Sequence, residues 1–256
     1  MDQPLCFRLM LLLLLLLGTG PWHPATAQES RYSVSGPAAP LDANQVVENL
    51  VRRNRQRAEA LRAYQGSRTY HLDYRGFPSS RTAEMVVTVK YRSPESKEFT
   101  IQSQSGSQLI IDRVFKKLLE SEEEALAQEN QRRTALNPDN YVFTLVGYES
   151  TAAGSRYILA LEPKVKSKFL YRGRIWVDGS DFAVTRIEAE PAKSTSFWTK
   201  NTEIEHVYVK VNDFWLPQRN HSVSRIRLGG QAELTIDYTD YRITDPDPAS
   251  EFQASR

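Results

Sequence analysis

Tyr171-Arg-Gly-Arg-Ile-Trp-Val-Asp178-Gly179-Ser180-Asp181-Phe182-Ala-Val-Thr-Arg-Ile-Glu-Ala-Glu190 is the stretch on which the fold turns. Two runs rich in β-branched and aromatic residues, Arg174 to Val177 and Phe182 to Glu188, flank Asp178-Gly179-Ser180-Asp181. Asp-Gly between such runs is a hairpin signal, because glycine accepts the positive φ that a tight turn requires. Similar runs lie on both sides, so the stretch reads as one hairpin of a long antiparallel meander. None of its residues forms a catalytic device.

Toward the C-terminus the chain is strand after strand: Glu203 to Val211, Phe214 to Ile226 and Ala232 to Arg242. In the last, Ala232, Leu234, Ile236 and Tyr238 alternate with Glu233, Thr235, Asp237 and Thr239, the period of a half-buried strand. Asn212-Asp213 and Gly229-Gly230 supply the turns. Toward the N-terminus lie Tyr141 to Glu149, Arg156 to Glu162 and Lys168 to Val177. Tyr157-Ile158-Leu159-Ala160-Leu161 is apolar on both faces, which requires cover on both sides. Earlier strands place Tyr70, Leu72 and Tyr74 on one face, then Met85, Val87, Val89 and Tyr91, then Phe99 and Ile101.

Two segments interrupt the strands. Asp42 with Gln45 three residues on has capping-box spacing, and Val46, Val47, Leu50, Val51, Ala58 and Leu61 follow at helical intervals. Arg52, Arg53, Arg55 and Arg57 on this helix make either a solvated face of a packed helix or a contact for an anionic membrane. Leu109 to Leu136 mixes Ile110, Val114, Leu118, Ala125 and Leu126 with Lys116, Lys117, Glu120, Glu122, Glu123, Glu124, Arg132 and Arg133. It reads as a charged helical insertion, broken near Ser121 and stopped before Pro138. Consecutive glutamates point to different sides of a helix, so their run reads as a solvated face rather than a metal site.

The chain has 256 residues, 40% hydrophobic and 25% charged, with a formal net charge of +2. That is a globular balance with enough length for a sizeable core, and it gives no case for a nucleic-acid surface. Arg8, the apolar run Leu9 to Leu17 and Ala25-Thr26-Ala27 make residues 1–27 a signal peptide cut after Ala27. The alternative is an uncleaved anchor, but the run is short of the ~20 residues a span takes. Residues 28–40 form a flexible lead-in, 41–245 the domain, and 246–256 a disordered tail. The only cysteine, Cys6, precedes the apolar run, so the mature chain holds no disulfide, thiol nucleophile or thiolate metal site. Export without disulfides suits a bacterial periplasm, and no second membrane span is expected.

His71, His206 and His221 lack the spacing of a zinc motif. No Gly-x-Ser-x-Gly elbow, P-loop or Gly-x-Gly-x-x-Gly is present. Glu188 and Glu190, alternating with Arg186, read as a surface charge ladder. No catalytic residue, metal site or cofactor emerges. The remaining candidates are apolar: Trp176, Phe182, Val184, Ile187, Phe197, Trp198, Tyr208, Phe214, Trp215 and Leu216. They either fill a core or line a cavity in a curled sheet. Lys168, Arg172 and Arg174, beside Lys164 and Lys166, either meet an anionic head group or form a solvated edge.

The helix Val46 to Leu61, the strand pair Tyr70 to Tyr91, and Gly173-Arg174-Ile175-Trp176-Val177-Asp178 running into Val184-Thr185-Arg186-Ile187-Glu188 together resemble the LolA/LolB lipoprotein-carrier superfamily. Phe214-Trp215-Leu216-Pro217 is similar to strand starts in outer-membrane lipoprotein-sorting proteins. The resemblance covers most of residues 41–243. It implies a mainly β (α+β) fold, an unclosed antiparallel half-barrel of about eleven strands with helices over its concave face. It also implies a periplasmic, non-enzymatic carrier of lipid or lipoprotein acyl chains in outer-membrane sorting. The alternative it leaves is an envelope-stress sensor or protein-interaction module without free lipid cargo, with envelope proteins as partners.

Overall fold

The computed structural model describes residues 40–94, 96–124, 132–152, 154–167, 169–193, 199–227 and 229–244. The signal peptide, the lead-in before residue 40 and the tail lie outside the described residues. Ten strands are described: β1 (Ala63–Gly76), β2 (Arg81–Arg92), β3 (Ser96–Gly106), β4 (Tyr141–Thr151), β5 (Gly154–Pro163), β6 (Tyr171–Asp178), β7 (Val184–Pro191), β8 (Thr199–Val211), β9 (Phe214–Ile226) and β10 (Gly230–Thr244). They form one antiparallel sheet in the order β3-β2-β1-β10-β9-β8-β7-β6-β5-β4. The sheet does not close: β3 and β4 are its edges, as an unclosed half-barrel requires.

The chain makes two meanders, β1 to β3 and β4 to β10, joined where β10 pairs with β1. Tyr70 opposes Ile236 and Leu72 opposes Leu234, so the join matches apolar residue to apolar residue on one face. Residues 107–140 carry the chain from edge strand β3 to edge strand β4. The segment read as a charged insertion is therefore the crossover between the meanders.

One face of the sheet, the inner face, carries two buried apolar clusters, each under its own helix. Helix α1 (Ala43–Ala60) starts with the expected capping box: Asp42 Oδ1 accepts the Gln45 N–H at 2.9 Å, and Gln45 Oε1 accepts the Asp42 N–H at 3.0 Å. Its Val46, Val47 and Leu50 are buried against Leu159, Leu161, Ile175, Val177, Ile187 and Tyr208. Burial of such side chains contributes about 1.5–3 kcal/mol each. The crossover forms α2 (Gln108–Ile110), a π-helical turn (Ile111–Phe115) and α3 (Lys116–Glu124). It buries Ile110, Ile111, Phe115, Leu118 and Leu119 on Tyr70, Leu72, Met85, Val87, Leu234 and Ile236.

Two expectations need correction. The helix does not break at Ser121, whose hydroxyl donates to the Lys117 carbonyl at 2.6 Å and leaves the helical ladder intact; the irregularity is the π-helical turn. In the β6–β7 hairpin the positive φ falls on Phe182, at 49°, rather than on Gly179. Asp178 Oδ1 holds this turn by accepting from the Ser180 N–H at 2.9 Å, the Ser180 hydroxyl at 2.6 Å and the Asp181 N–H at 2.8 Å. A Cβ on Gly179 would press on the Ser155 side chain, whose hydroxyl would have to turn away.

Candidate ligand-binding face

The inner face is the part of this sheet with the composition of a binding surface, and what fixes its covers determines what it can do. The C-terminal end of α1 is latched to the β6–β7 hairpin. Arg57 donates to the backbone carbonyls of Asp181 at 2.8 Å and Phe182 at 3.1 Å. Burial lowers the pKa of this guanidinium. The Asp181 carboxylate accepts from the Trp215 indole N–H at 2.9 Å and from the Lys210 ammonium at 2.6 Å. Those bonds, Lys210 first, hold its pKa below the usual carboxylate range. One four-residue turn thus joins the first helix to the β8–β9 hairpin.

The second cover is fixed by buried charge. Glu122 on α3 is 0% exposed and accepts from Arg68 on β1 through two bonds, at 2.6 and 3.0 Å. Lys97 on β3 also donates to Glu122. The Arg68 guanidinium lies 4.9 Å from the Tyr238 ring centre and 5.6 Å from that of Phe99. Burial alone would raise the Glu122 pKa; the Arg68 and Lys97 charges and hydrogen bonds outweigh it and bring it to about 2. The reading of the glutamate run as a solvated face therefore fails at Glu122. Sequence held a signal for this lock: Arg68 shares strand parity with Tyr70 and Leu72, and Lys97 with Phe99, so each charge points to the apolar side.

The structure separates the candidate residues into two groups. Val184, Ile187 and Tyr208 belong to the cluster under α1, with Phe182 and Trp215 packed on it. Phe182 stacks on Tyr157 with ring centres 6.3 Å apart. Leu216 is buried and Phe214 half-buried at the start of β9. Trp176, Arg172 and Arg174 alternate with the buried Ile175 and Val177, so they occupy the outer face. There the Arg174 and Arg186 guanidiniums lie 5.5 and 5.3 Å from the Trp176 ring centre. The ladder continues through Arg174–Glu188 at 3.1 Å, Arg186–Glu205 at 2.6 Å and Arg172–Glu162 at 2.8 Å. Phe197, Trp198 and Lys168 lie outside the described residues.

Between the two clusters runs a polar seam on β8 and β9. Asn220, Ser222 and Ser224 are buried on the inner face. Across them stand His206, Ile204 and Thr202 of β8 and Ile236, Leu234 and Ala232 of β10. Burial lowers the His206 pKa to about 4, so its ring is neutral near pH 7. A separate open cleft of about 370 Å³ lies where α1 meets β4, lined by Asn44, Val47, Glu48, Pro138, Tyr141, Val142, Phe143 and Lys164.

Among the described residues no group of three or more His, Cys, Asp or Glu is placed to hold a metal ion. No helix among them is long and apolar enough to cross a membrane. The arrangement offers apolar burial, a few internal hydrogen-bonding groups and two separately fastened covers.

No family model matches the chain, and no curated protein matches it. Among solved structures it is similar to a DUF1329 family protein from Desulfovibrio piger, at 13% identity and a TM-score of 0.40, covering 84% of this chain and 99% of that one. It is similar to a putative outer membrane lipoprotein-sorting protein domain from Vibrio parahaemolyticus, at 12% identity and a TM-score of 0.40, covering 83% and 98%. It is also similar to a LolA superfamily protein from Nitrosomonas europaea, at 13% identity and a TM-score of 0.33, covering 83% and 97%.

Proposed function

We propose that this chain is a non-enzymatic periplasmic carrier that holds acyl chains of lipids or lipoproteins against the inner face of its half-barrel. The observation that carries the reading is that a largely apolar sheet face is covered by two helical segments. Each is fastened by a few specific contacts, where a second sheet would be permanent. Each methylene transferred from water to that face contributes ~0.8 kcal/mol, so an acyl chain competes with the side chains of Val46, Val47 and Leu50. The test is native mass spectrometry of residues 28–256 purified from periplasm without detergent. The expected result is bound mass that extracts as phospholipid or acyl species. A clean apo mass that persists after incubation with phospholipid vesicles would refute the carrier.

A second reading has its own observation. Val46 and Leu50 are both 0% exposed, so α1 fills the place that an acyl chain would take. A protein-interaction module with a self-filled interior has this arrangement, and it accounts for a clean apo mass.

A further inference from the structure

A strand buried between two apolar clusters would ordinarily carry valine or isoleucine, yet the inner face of β9 presents Asn220, Ser222 and Ser224. Nothing in the register demands this, since Ile204, Leu234 and Ile236 occupy the same face directly alongside. Asparagine and serine are also poor strand formers. Two of the polar groups find partners within the seam. Thr202 and Ser224 share a hydroxyl bond at 2.9 Å, and Asn220 Nδ2 donates to the Tyr238 hydroxyl at 2.8 Å. Asn220 Oδ1 has no hydrogen-bond partner among the described residues, on a residue only 3% exposed. A buried acceptor left open is costly, so it marks a place where something with a donor belongs.

We propose that Asn220, with Ser222 and Ser224, forms a polar subsite on the inner face for a neutral N–H or O–H group of an amphiphile, such as an amide or hydroxyl adjoining an acyl chain. The subsite rests on the carrier reading above and adds to it the chemical class of the cargo. Its position between the clusters lets an apolar chain extend onto either one while its amide or hydroxyl meets Asn220. The open atom is an acceptor, so an ester, which has no N–H or O–H, leaves it unsatisfied. Among the described residues the seam also offers no cation for a carboxylate or phosphate. His206 is kept neutral near pH 7 by burial, and Arg68, which lies over the Tyr238 ring, is engaged by Glu122 through two hydrogen bonds. A site built to pair a buried acceptor discriminates strongly against the analogue lacking the donor.

The test is competitive binding of myristamide and methyl myristate to the mature protein, read by native mass spectrometry. Wild type is expected to prefer the amide by about tenfold, the scale of one satisfied buried hydrogen bond. Asn220→Leu should abolish the preference while keeping uptake of the ester. Ser222→Val should reduce the preference, and it carries the test if Asn220→Leu does not fold. Equal binding of the two probes by wild type, or an unchanged preference in the variants, would overturn the subsite. The open oxygen would then hold a structural water alone. Uptake of neither probe would overturn the carrier reading and the subsite together.

Discussion

Replacing Glu122 by glutamine should unfasten the second cover while leaving the sheet standing. The side chain is fully buried between Arg68 and Lys97, so its removal leaves two cations without their counter-charge. Breaking a buried ion pair from one side costs about 3–5 kcal/mol. The titration gives a second route to the magnitude: the carboxylate moves from its ordinary 4.5 to about 2 on folding, which is ~3 kcal/mol. The two agree. Because the folded-state value is depressed, this stabilisation is complete above pH ~4.5 and is lost as pH falls through about 2. The five buried apolar residues from Ile110 to Leu119 still hold the cover to the sheet, so the loss should appear as local opening. A 3 kcal/mol change raises the open population on the order of a hundredfold. Amide hydrogen exchange should therefore quicken by that factor across residues 108–124 and stay unchanged in β5 to β7. Combining Glu122→Leu with Arg68→Met and Lys97→Met should restore most of the protection, since no buried charge then lacks a partner. Exchange in Glu122→Gln within about threefold of wild type would refute the lock.

Three further outcomes are expected. His206 titrates near 4 in the folded chain against an ordinary 6.5. The unfolded state therefore binds a proton first, and stability should fall by ~3 kcal/mol as pH drops from 6.5 to about 4. Urea unfolding across that range should show this slope and His206→Gln should remove it, whereas equal slopes in both proteins would refute the assignment. Gly173 has φ of +157°, and a Cβ there would lie 2.6 Å from the Ala189 Cα and overlap the Glu188 carbonyl. Gly173→Ala should cost about 3 kcal/mol or more in urea unfolding through backbone displacement between β6 and β7, and a loss under 1 kcal/mol would contradict the packing. Trp176→Ala should remove two exposed cation–π contacts at a cost of about 1–2 kcal/mol. It should leave acyl-chain uptake unchanged, because Trp176 faces away from both clusters; weakened uptake would place the ligand on the outer face.

The strands were legible because alternation is a local property. All seven segments from Tyr141 to Arg242 return as β4 to β10, and the helix from Asp42 returns with its capping box. The pairing of β10 with β1 was not legible, since it joins residues far apart in the chain and leaves no local mark beyond apolar residues on both partners. The candidate site was half legible. Crowding of aromatics along the chain grouped Trp176 with Phe182 and Tyr208, but a period of two sets Trp176 with Arg174, opposite Ile175 and Val177. The same parity would have found Arg68 and Lys97. It would also have found Asn220, Ser222 and Ser224, where apolar residues were due.

The two covers are fastened by different physics, and this bears on how the inner face could be exposed. Arg57 donates to backbone carbonyls of the β6–β7 hairpin, acceptors that do not titrate. The apolar hold of Val46, Val47 and Leu50 is likewise indifferent to pH. The lock on α3 does titrate, but only as pH falls through about 2, far below any neutral compartment. Burial also keeps both Arg68–Glu122 and Lys97–Glu122 largely out of reach of salt screening. Neither titration of these two fastenings nor ionic strength therefore opens this face near neutral pH. On the carrier reading proposed above, opening would come from a molecule with differential affinity for the uncovered state, whether cargo on the inner face or a protein that takes hold of a helix. Such a molecule must supply at least the free energy by which the closed cover is favoured, so cargo uptake and partner binding act on one equilibrium. A ligand or partner of this chain should then be found by the faster exchange it induces in residues 108–124 or 43–60, even where its own binding site lies elsewhere on the sheet.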